Sequence, residues 1–208
     1  MKEKNKNFNL IVAGYGGQGV LSLAKIIAQA AFFSKKEVKQ AELHGLSQRG
    51  GSLECHLRIG KDVFSPLIPQ GSADLIISLE LLEAWRVCFY ANKKKTIILT
   101  NEDIVSPFPF QPNKIKVNYV LSEIKKYALE LRTIKVSEFG RKVSRLTQLT
   151  NTMILGWTIG QNLLPIEEKY ILKAMKEKFG QRFWSENKRA FDLARKEGEK
   201  FKEQLLKK

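Results

Sequence analysis

The chain has 208 residues, of which 43% are hydrophobic and 27% are charged, and it carries a formal net charge of +15. This length allows one domain with a sizeable core, and no apolar run reaches the roughly 18 residues that a membrane-spanning helix needs. Because the chain has only two cysteines, Cys55 and Cys88, a zinc or iron–sulfur site of about four ligands is not expected within it.

The first predicted elements are a strand and a helix joined by a glycine-rich turn. Residues 1–7 are charged and polar and lead directly into an apolar strand at residues 8–13, so the sequence predicts a cytoplasmic protein without a secretion signal. A helix is predicted over residues 18–33. The turn between them reads Gly14-Tyr-Gly-Gly-Gln-Gly19, which has the G-x-G-x-x-G spacing of dinucleotide-binding folds. Its bare backbone N–H groups and the start of the helix favour an anion.

The next segments are predicted to form a strand, a polar loop and a hairpin. The strand at residues 38–42 is expected to run parallel to the first strand, because the helix returns the chain to the same end of the sheet. Residues 52–59 alternate in polarity and predict a strand with one apolar face. That face consists of Leu53, Cys55, Leu57 and Ile59. Residues 60–61 predict a hairpin turn into residues 62–64.

The rest of the chain alternates strands and helices before it becomes helical. Strands are predicted at 74–78, 95–100 and 114–117, helices at 80–91 and 122–131, an irregular proline-rich stretch at 106–112, and a possible strand at 133–136. Helices follow at 142–163, from 165 to a stop at Gly180, and at 184–206. The fold class is therefore α/β, with an open, mostly parallel Rossmann-like sheet, a β-hairpin insertion and a helical C-terminal third. We expect a single domain over 1–208, with its sheet part at about 1–130 and its helical part at about 141–208.

Most of the positive charge lies in the second half of the chain. Residues 1–40 carry a net charge of +5, residues 41–92 carry −2 and residues 93–208 carry +12. The basic residues there alternate with acidic ones at helical spacing, which is typical of a solvated lysine-rich surface. An acidic partner protein is the second interpretation, and nucleic acid is the least favoured one.

A second glycine-bearing loop follows the second strand and reads His44-Gly-Leu-Ser-Gln-Arg-Gly-Gly51. Ligands bind at the carboxyl ends of strands in open α/β sheets, so this loop and the first glycine turn are expected at one edge. Arg49 is suited to bind a phosphate or a carboxylate, and His44 to transfer a proton near neutral pH. These two are the candidate catalytic residues. The candidate ligand-binding residues are Gly14, Gly16, Gly17, Gln18, Gly19, Ser47, Gln48, Arg49, Gly50 and Gly51.

A stand-alone NAD(P)- or nucleotide-binding enzyme is the alternative interpretation of the glycine turn. Such a domain requires an acidic residue about 20 positions after the glycines to bind the ribose hydroxyls, and Glu42 lies at about that position. The usual second crossover helix is missing after Glu42, however, because the loop and a predicted hairpin follow it. The sequence therefore favours another kind of ligand.

The two glycine motifs together resemble the gamma-type domain of 2-oxoacid:ferredoxin oxidoreductases. The most similar version is the small (beta) subunit of indolepyruvate ferredoxin oxidoreductase, which is a free-standing form of that domain. The similarity covers nearly the whole chain from residue 8 and departs in a basic stretch at about 132–148. Further matching segments are 56–60, 64–69, 73–77 and 151–156.

The resemblance implies a subunit of an enzyme that converts a 2-oxo acid, CoA and oxidised ferredoxin into acyl-CoA, CO2 and reduced ferredoxin. It implies that thiamine diphosphate, Mg and 4Fe-4S clusters belong to a large alpha subunit, and that this chain binds no cofactor or metal by itself. The subunit would shield the active site and help to bind CoA or substrate. Indolepyruvate or another aryl pyruvate is the implied oxo acid, with branched-chain acids and 2-oxoglutarate left open. Neither a membrane nor nucleic acid is expected as a partner.

Overall fold

The computed structural model describes residues 7–45, 50–104, 115–138 and 149–207. The strands are β1 (Phe8–Tyr15), β2 (Val38–His44), β3 (Ser52–Ile59), β4 (Leu75–Ser78), β5 (Ile97–Asn101) and β6 (Glu130–Ile134). The helices are α1 (Val20–Phe33), α2 (Leu81–Val87), α3 (Val117–Lys125), α4 (Thr150–Gly160) and α5 (Glu168–Leu206), with a 3-10 turn, Cys88–Tyr90, directly after α2.

The six strands form one sheet in the order β2-β3-β1-β4-β5-β6. The pairs β1–β4, β4–β5 and β5–β6 are parallel, whereas β3 is antiparallel to both of its neighbours, β1 and β2. The mostly parallel α/β sheet is therefore confirmed. Strand β2 runs in the same direction as β1, as predicted, but β3 lies between the two.

Both faces of the sheet are covered by helices, and each face has its own core cluster. Alternate residues of β1 enter different clusters: Leu10 and Val12 pack under α1, α4 and α5, whereas Ile11 and Ala13 pack under α2 and α3. This alternation follows from the period of two in a strand. Strand β1 is therefore buried on both faces, as the central strand of a parallel sheet requires.

The C-terminal third consists of α4 and α5, which pack closely on each other and, through α5, on α1. Gly180 has φ 59° and ψ −176°, so α5 consists of two helical segments that meet at a kink there, and the predicted stop at Gly180 is confirmed. A Cβ atom at Gly156 of α4 would overlap the Phe191 carbonyl oxygen of α5. Within the ranges described above, no helix is long and apolar enough to cross a membrane.

Three element predictions were wrong. Residues 60–64 form bends and irregular backbone instead of a hairpin strand, and prolines follow at 66 and 69, where they cannot donate ladder hydrogen bonds. Residues 115–116 are not a strand, because the apolar side chains from Val117 onwards recur at helical spacing and form α3. The helix predicted over 122–131 ends at Lys125, since residues 130–134 pair with β5 as β6.

Two other predicted elements have different starting residues in the structure, and some predicted segments lie outside the described residues. The possible strand at 133–136 corresponds to β6, which begins three residues earlier. The helix predicted from 142 is observed as α4 from Thr150. Residues 142–148, the proline-rich stretch at 106–112 and most of the basic stretch at 132–148 lie outside the described residues.

The close contact between α4 and α5 generates a stability prediction. We expect Gly156→Ala to lower the free energy of unfolding by about 2–3 kcal/mol, because the added methyl group must push two helix backbones apart. Gly45→Ala is the matched control, since a Cβ atom at Gly45 meets nothing within 4 Å. Urea unfolding followed by circular dichroism measures both, and equal midpoints for the two variants would contradict the packing argument.

Candidate functional site

The glycine turn joins the carboxyl end of β1 to the start of α1. Gly17 and Gly19 have φ values of 103° and 87°, which side chains of L-residues disfavour. Gly19 is the N-cap of α1 and supplies no capping side chain, and the first turn of α1 contains no acidic residue. No acidic side chain in the first turn of α1 therefore compensates the positive end of the helix dipole, so this end of the helix favours an anion.

A side chain of the glycine turn forms a hydrogen bond with the backbone of β1. The Gln18 side-chain oxygen accepts a hydrogen bond from the Tyr15 backbone N–H at 2.8 Å. A Cβ atom at Gly14 would lie only 2.9 Å from that oxygen, so glycine is required beneath it. Gln18 thus shapes the turn, whereas its predicted contact with a ligand stays a prediction.

The second glycine segment meets the first at the same edge. The Gly16 N–H donates to the Gly51 carbonyl at 2.9 Å, and the Gly50 N–H donates to the Gly16 carbonyl at 3.3 Å. This reciprocal pair continues the β1–β3 ladder beyond its last residues, Tyr15 and Ser52. The expectation that the two motifs share one sheet edge is confirmed for these glycines.

The other predicted residues of the second loop are only partly described. His44 is exposed at the end of β2, and it lies in one cross-strand row with Leu53 and Gly14. Two strand spacings, or about 10 Å, therefore separate its backbone from the glycine turn. Its Nδ1 atom lies 3.0 Å from the Gly45 carbonyl oxygen. Ser47, Gln48 and Arg49 lie outside the described residues.

A buried polar network that the sequence pattern did not predict lies beneath this edge. The face of β3 opposite its apolar residues carries Ser52, Glu54 and His56, and α2 covers that face. Ser52 Oγ donates to Glu83 at 2.7 Å. Arg86 links the two carboxylates, with Nε 2.8 Å from Glu83 and Nη1 2.6 Å from Glu54. The alternating polarity of residues 52–58 was the available signal.

The same network continues away from the edge into the core. The Tyr90 hydroxyl donates to Glu54 at 3.1 Å, and His56 Nε2 lies 3.2 Å from the same oxygen. His56 Nδ1 accepts the Ile68 backbone N–H at 2.9 Å. Since Nδ1 accepts, Nε2 carries a proton and donates to Glu54. His56 therefore has a structural role here, and its ring is 1% exposed.

The network changes the acidity of its members. Burial by itself would raise the pKa of Glu54, but the hydrogen bonds from His56 and Arg86 and the guanidinium charge outweigh burial and lower this pKa to about 2. Burial and the neighbouring Glu54 carboxylate raise the pKa of Tyr90 to about 12. Burial, followed by the charges of Glu80 and Glu83, also raises the pKa of Tyr15 in the glycine turn.

The strand and helix ends next to the glycine turn carry two further polar side chains, Glu80 and Asn151. Glu80 is fully buried after β4 and caps α2, where its carboxylate accepts the Glu83 N–H at 2.8 Å. At the other side of the turn, a Cβ atom at Gly19 would lie 2.5 Å from Nδ2 of Asn151 in α4. Asn151 of α4 is thus a neighbour of the turn that the sequence motif alone did not reveal.

The arrangement of β2 disfavours a dinucleotide site. Glu42 is paired across the sheet with Cys55, and Cys55 with Val12 of β1, so a whole strand separates Glu42 from β1. In a dinucleotide fold the acidic residue ends the strand adjacent to the glycine turn. Glu42 instead lies 3.8 Å from Lys25 and accepts a hydrogen bond from Gln40.

Comparison with known proteins gives one family. The family model described as pyruvate ferredoxin/flavodoxin oxidoreductase matches residues 9–197. The indolepyruvate oxidoreductase subunit IorB of Archaeoglobus fulgidus is 35% identical over 177 residues, which is 81% of this chain and 84% of that protein.

Solved structures share the fold at lower identity. The pyruvate oxidoreductase subunit PORC of Thermotoga maritima matches with a TM-score of 0.66 and 18% identity, over 93% of this chain and 97% of that one. The 2-oxoglutarate:ferredoxin oxidoreductase of Magnetococcus marinus, solved with 2-oxoglutarate, coenzyme A and succinyl-CoA, matches with a TM-score of 0.66 and 20% identity. That match covers 97% of this chain but 32% of the larger one.

The low pKa of Glu54 makes the stability of the fold depend on pH. Because the folded value of about 2 lies below the reference value of 4.5, ionised Glu54 stabilises the fold above pH 4.5, and this contribution is lost as the pH falls from 4.5 to 2. We expect Glu54→Gln to cost on the order of 3 kcal/mol at pH 7 and progressively less in acid.

Urea unfolding across this pH range measures that difference. Glu42→Gln is the control, because Glu42 is exposed and should change stability little at any pH. Parallel pH profiles for the wild type and Glu54→Gln would show that Glu54 is not the titrating group.

Proposed function

Since the chain belongs to the pyruvate ferredoxin/flavodoxin oxidoreductase family, we propose that it is the small subunit of an indolepyruvate, or other aryl pyruvate, ferredoxin oxidoreductase. In this role it acts as one domain, in the cytoplasm, and only in complex with a larger subunit. The reaction of the complex consumes a 2-oxo acid, CoA and oxidised ferredoxin, and it yields acyl-CoA, CO2 and reduced ferredoxin. The similarity to IorB supports the choice of aryl pyruvate over branched-chain acids and 2-oxoglutarate.

The residues of this chain do not fit an iron–sulfur cluster. Its two cysteines lie on opposite faces of the sheet, Cys55 in the core under α1 and Cys88 in the core under α2. Burial is the main cause that raises their pKa values, to about 12 and about 11, so both thiols stay protonated at neutral pH. The described residues contain no group of three or more metal-ligating side chains. In our proposal the clusters, Mg and thiamine diphosphate therefore belong to the large subunit.

The proposed task of this chain is to bind an anionic part of CoA or of the oxo acid at the paired glycine segments. The uncapped start of α1 and the open backbone at Gly17 favour an anion, and a Cβ atom at Gly17 would meet nothing within 4 Å. Arg49 directly precedes Gly50 in sequence, and we propose that its guanidinium binds a phosphate or the oxo-acid carboxylate. His44, Ser47 and Gln48 remain proposed members of the same site.

The second proposed task is to exclude water from the reactive centre of the large subunit. A carbanion formed after decarboxylation is lost if water protonates it early, so a protein wall over the cleft protects the reaction. The observation that carries the whole proposal is the reciprocal hydrogen bonding of Gly16 with Gly50 and Gly51 in a chain of this family. It joins the two motifs at their glycines, and in our proposal both motifs face the partner.

Co-expression with a large subunit that carries thiamine diphosphate and iron–sulfur clusters tests the function. We expect a brown, iron-containing complex that reduces ferredoxin only when indolepyruvate and CoA are both present, whereas this chain alone is inactive. Purification of the chain without any iron-containing partner, together with a fluorescence response to NADH, would favour a dinucleotide enzyme instead. Salt-sensitive retention on DNA would indicate a nucleic-acid-binding protein.

Arg49→Ala tests the ligand site within that complex. We expect the KM for CoA or for the oxo acid to rise about tenfold, because a charge-assisted hydrogen-bonding group is lost. Lys61→Ala is the control, since Lys61 is exposed just beyond the opposite end of β3. Steady-state constants that stay equal to those of the Lys61→Ala complex would remove Arg49 from the site.

A further inference from the structure

The junction between the two glycine segments has a side-chain anchor at its base. Tyr15 and Ser52 are the last cross-strand pair of β1 and β3, and beyond them only backbone bonds between glycines continue the ladder. Glycine has the greatest backbone freedom of all residues, so these bonds need support from a neighbour. Ser52 follows Gly51 directly, and its hydroxyl group donates a hydrogen bond to Glu83 at 2.7 Å.

Glu83 is held rigidly enough to serve as that anchor. It is 2% exposed, and its two carboxylate oxygens have different partners, Ser52 on one and Arg86 on the other. Its backbone N–H donates to the Glu80 carboxylate at 2.8 Å. Two hydrogen bonds to its carboxylate therefore hold the orientation of this side chain, and a third fixes its backbone at the start of α2.

The anchor also closes into a ring. Arg86 bonds to Glu54, which lies on the same face of β3 as Ser52 and two residues after it. The ring runs from Ser52 through Glu83 and Arg86 to Glu54 and back along the strand. Side chains of α2 thus bond to β3 at two points. Two points of attachment oppose a shift of the helix along the strand, whereas a single hydrogen bond would allow it.

We propose that Glu83 is a positioning residue: by holding Ser52, it fixes the Gly51 carbonyl against the Gly16 N–H and so sets the shape of the anion-binding turn. The inference rests on the function proposed above for that turn. In this role, Glu83 and Ser52 act through the glycine backbone and not on the reacting atoms. Their effect on catalysis is therefore expected in ligand affinity and not in turnover.

Hydrogen exchange of the full-length chain tests the anchor without any assay of activity. We expect the Gly16 amide to exchange about tenfold faster in Ser52→Ala than in the wild type, because its acceptor is no longer held, and Ser52→Thr to restore the protection. Ser72→Ala is the matched control, since Ser72 precedes β4 at the opposite end of the sheet. Glu83→Ala repeats the test from the other partner, because glutamine would keep an oxygen that can accept the Ser52 hydroxyl.

The outcomes separate this inference from the proposed function. Unchanged exchange at Gly16 in Ser52→Ala at equal global stability, or in Glu83→Ala, would overturn the anchor. In the complex we expect the KM for CoA to rise about fivefold in Ser52→Ala with kcat nearly unchanged. A fall in kcat at constant KM would refute the positioning role. A wild-type complex that lacks oxidoreductase activity would contradict the function alone, since Gly16 exchange still decides the anchor.

Discussion

The antiparallel direction of β3 is the constraint on which the candidate site depends. A parallel neighbour of β1 would have its amino end at the far edge of the sheet. Because β3 is reversed, its amino end and the glycines before it lie beside the carboxyl end of β1. The hydrogen bonds between Gly16 and the Gly50–Gly51 segment follow directly from this reversal. One inserted strand therefore joins two glycine segments into one candidate site.

Strand β3 also carries polar side chains that hold the candidate site in place. Its apolar face belongs to the core under α1, whereas its polar face is buried under α2 and must be fully hydrogen-bonded to remain there. Glu54, Glu83 and Arg86 meet this requirement together, and Ser52 extends their network to the edge. A purely apolar interface would hold α2 on the sheet but would leave the glycine junction without a directional contact.

The helical third supports the site from the other side. Helices α4 and α5 approach so closely that Gly156 has no space for a side chain, and the start of α4 places Asn151 against Gly19. The glycine turn thus lies between a packed helical layer and a polar network, and both limit its motion. A rigid turn suits a subunit whose proposed work is to present an anion to a reactive centre that another polypeptide carries.

The sequence by itself determined the strand–turn–helix unit at residues 8–33, the apolar face of β3 and the break at Gly180, because each depends on local periodicity or on glycine geometry. It also determined the family resemblance, through two motifs that are continuous in sequence. Only the tertiary structure decided that β3 lies between β1 and β2 and that its polar face is buried. The partners of Ser52 and Glu54 in α2 are 31 and 32 residues away, and a local pattern cannot tell a polar face in water from one under a helix.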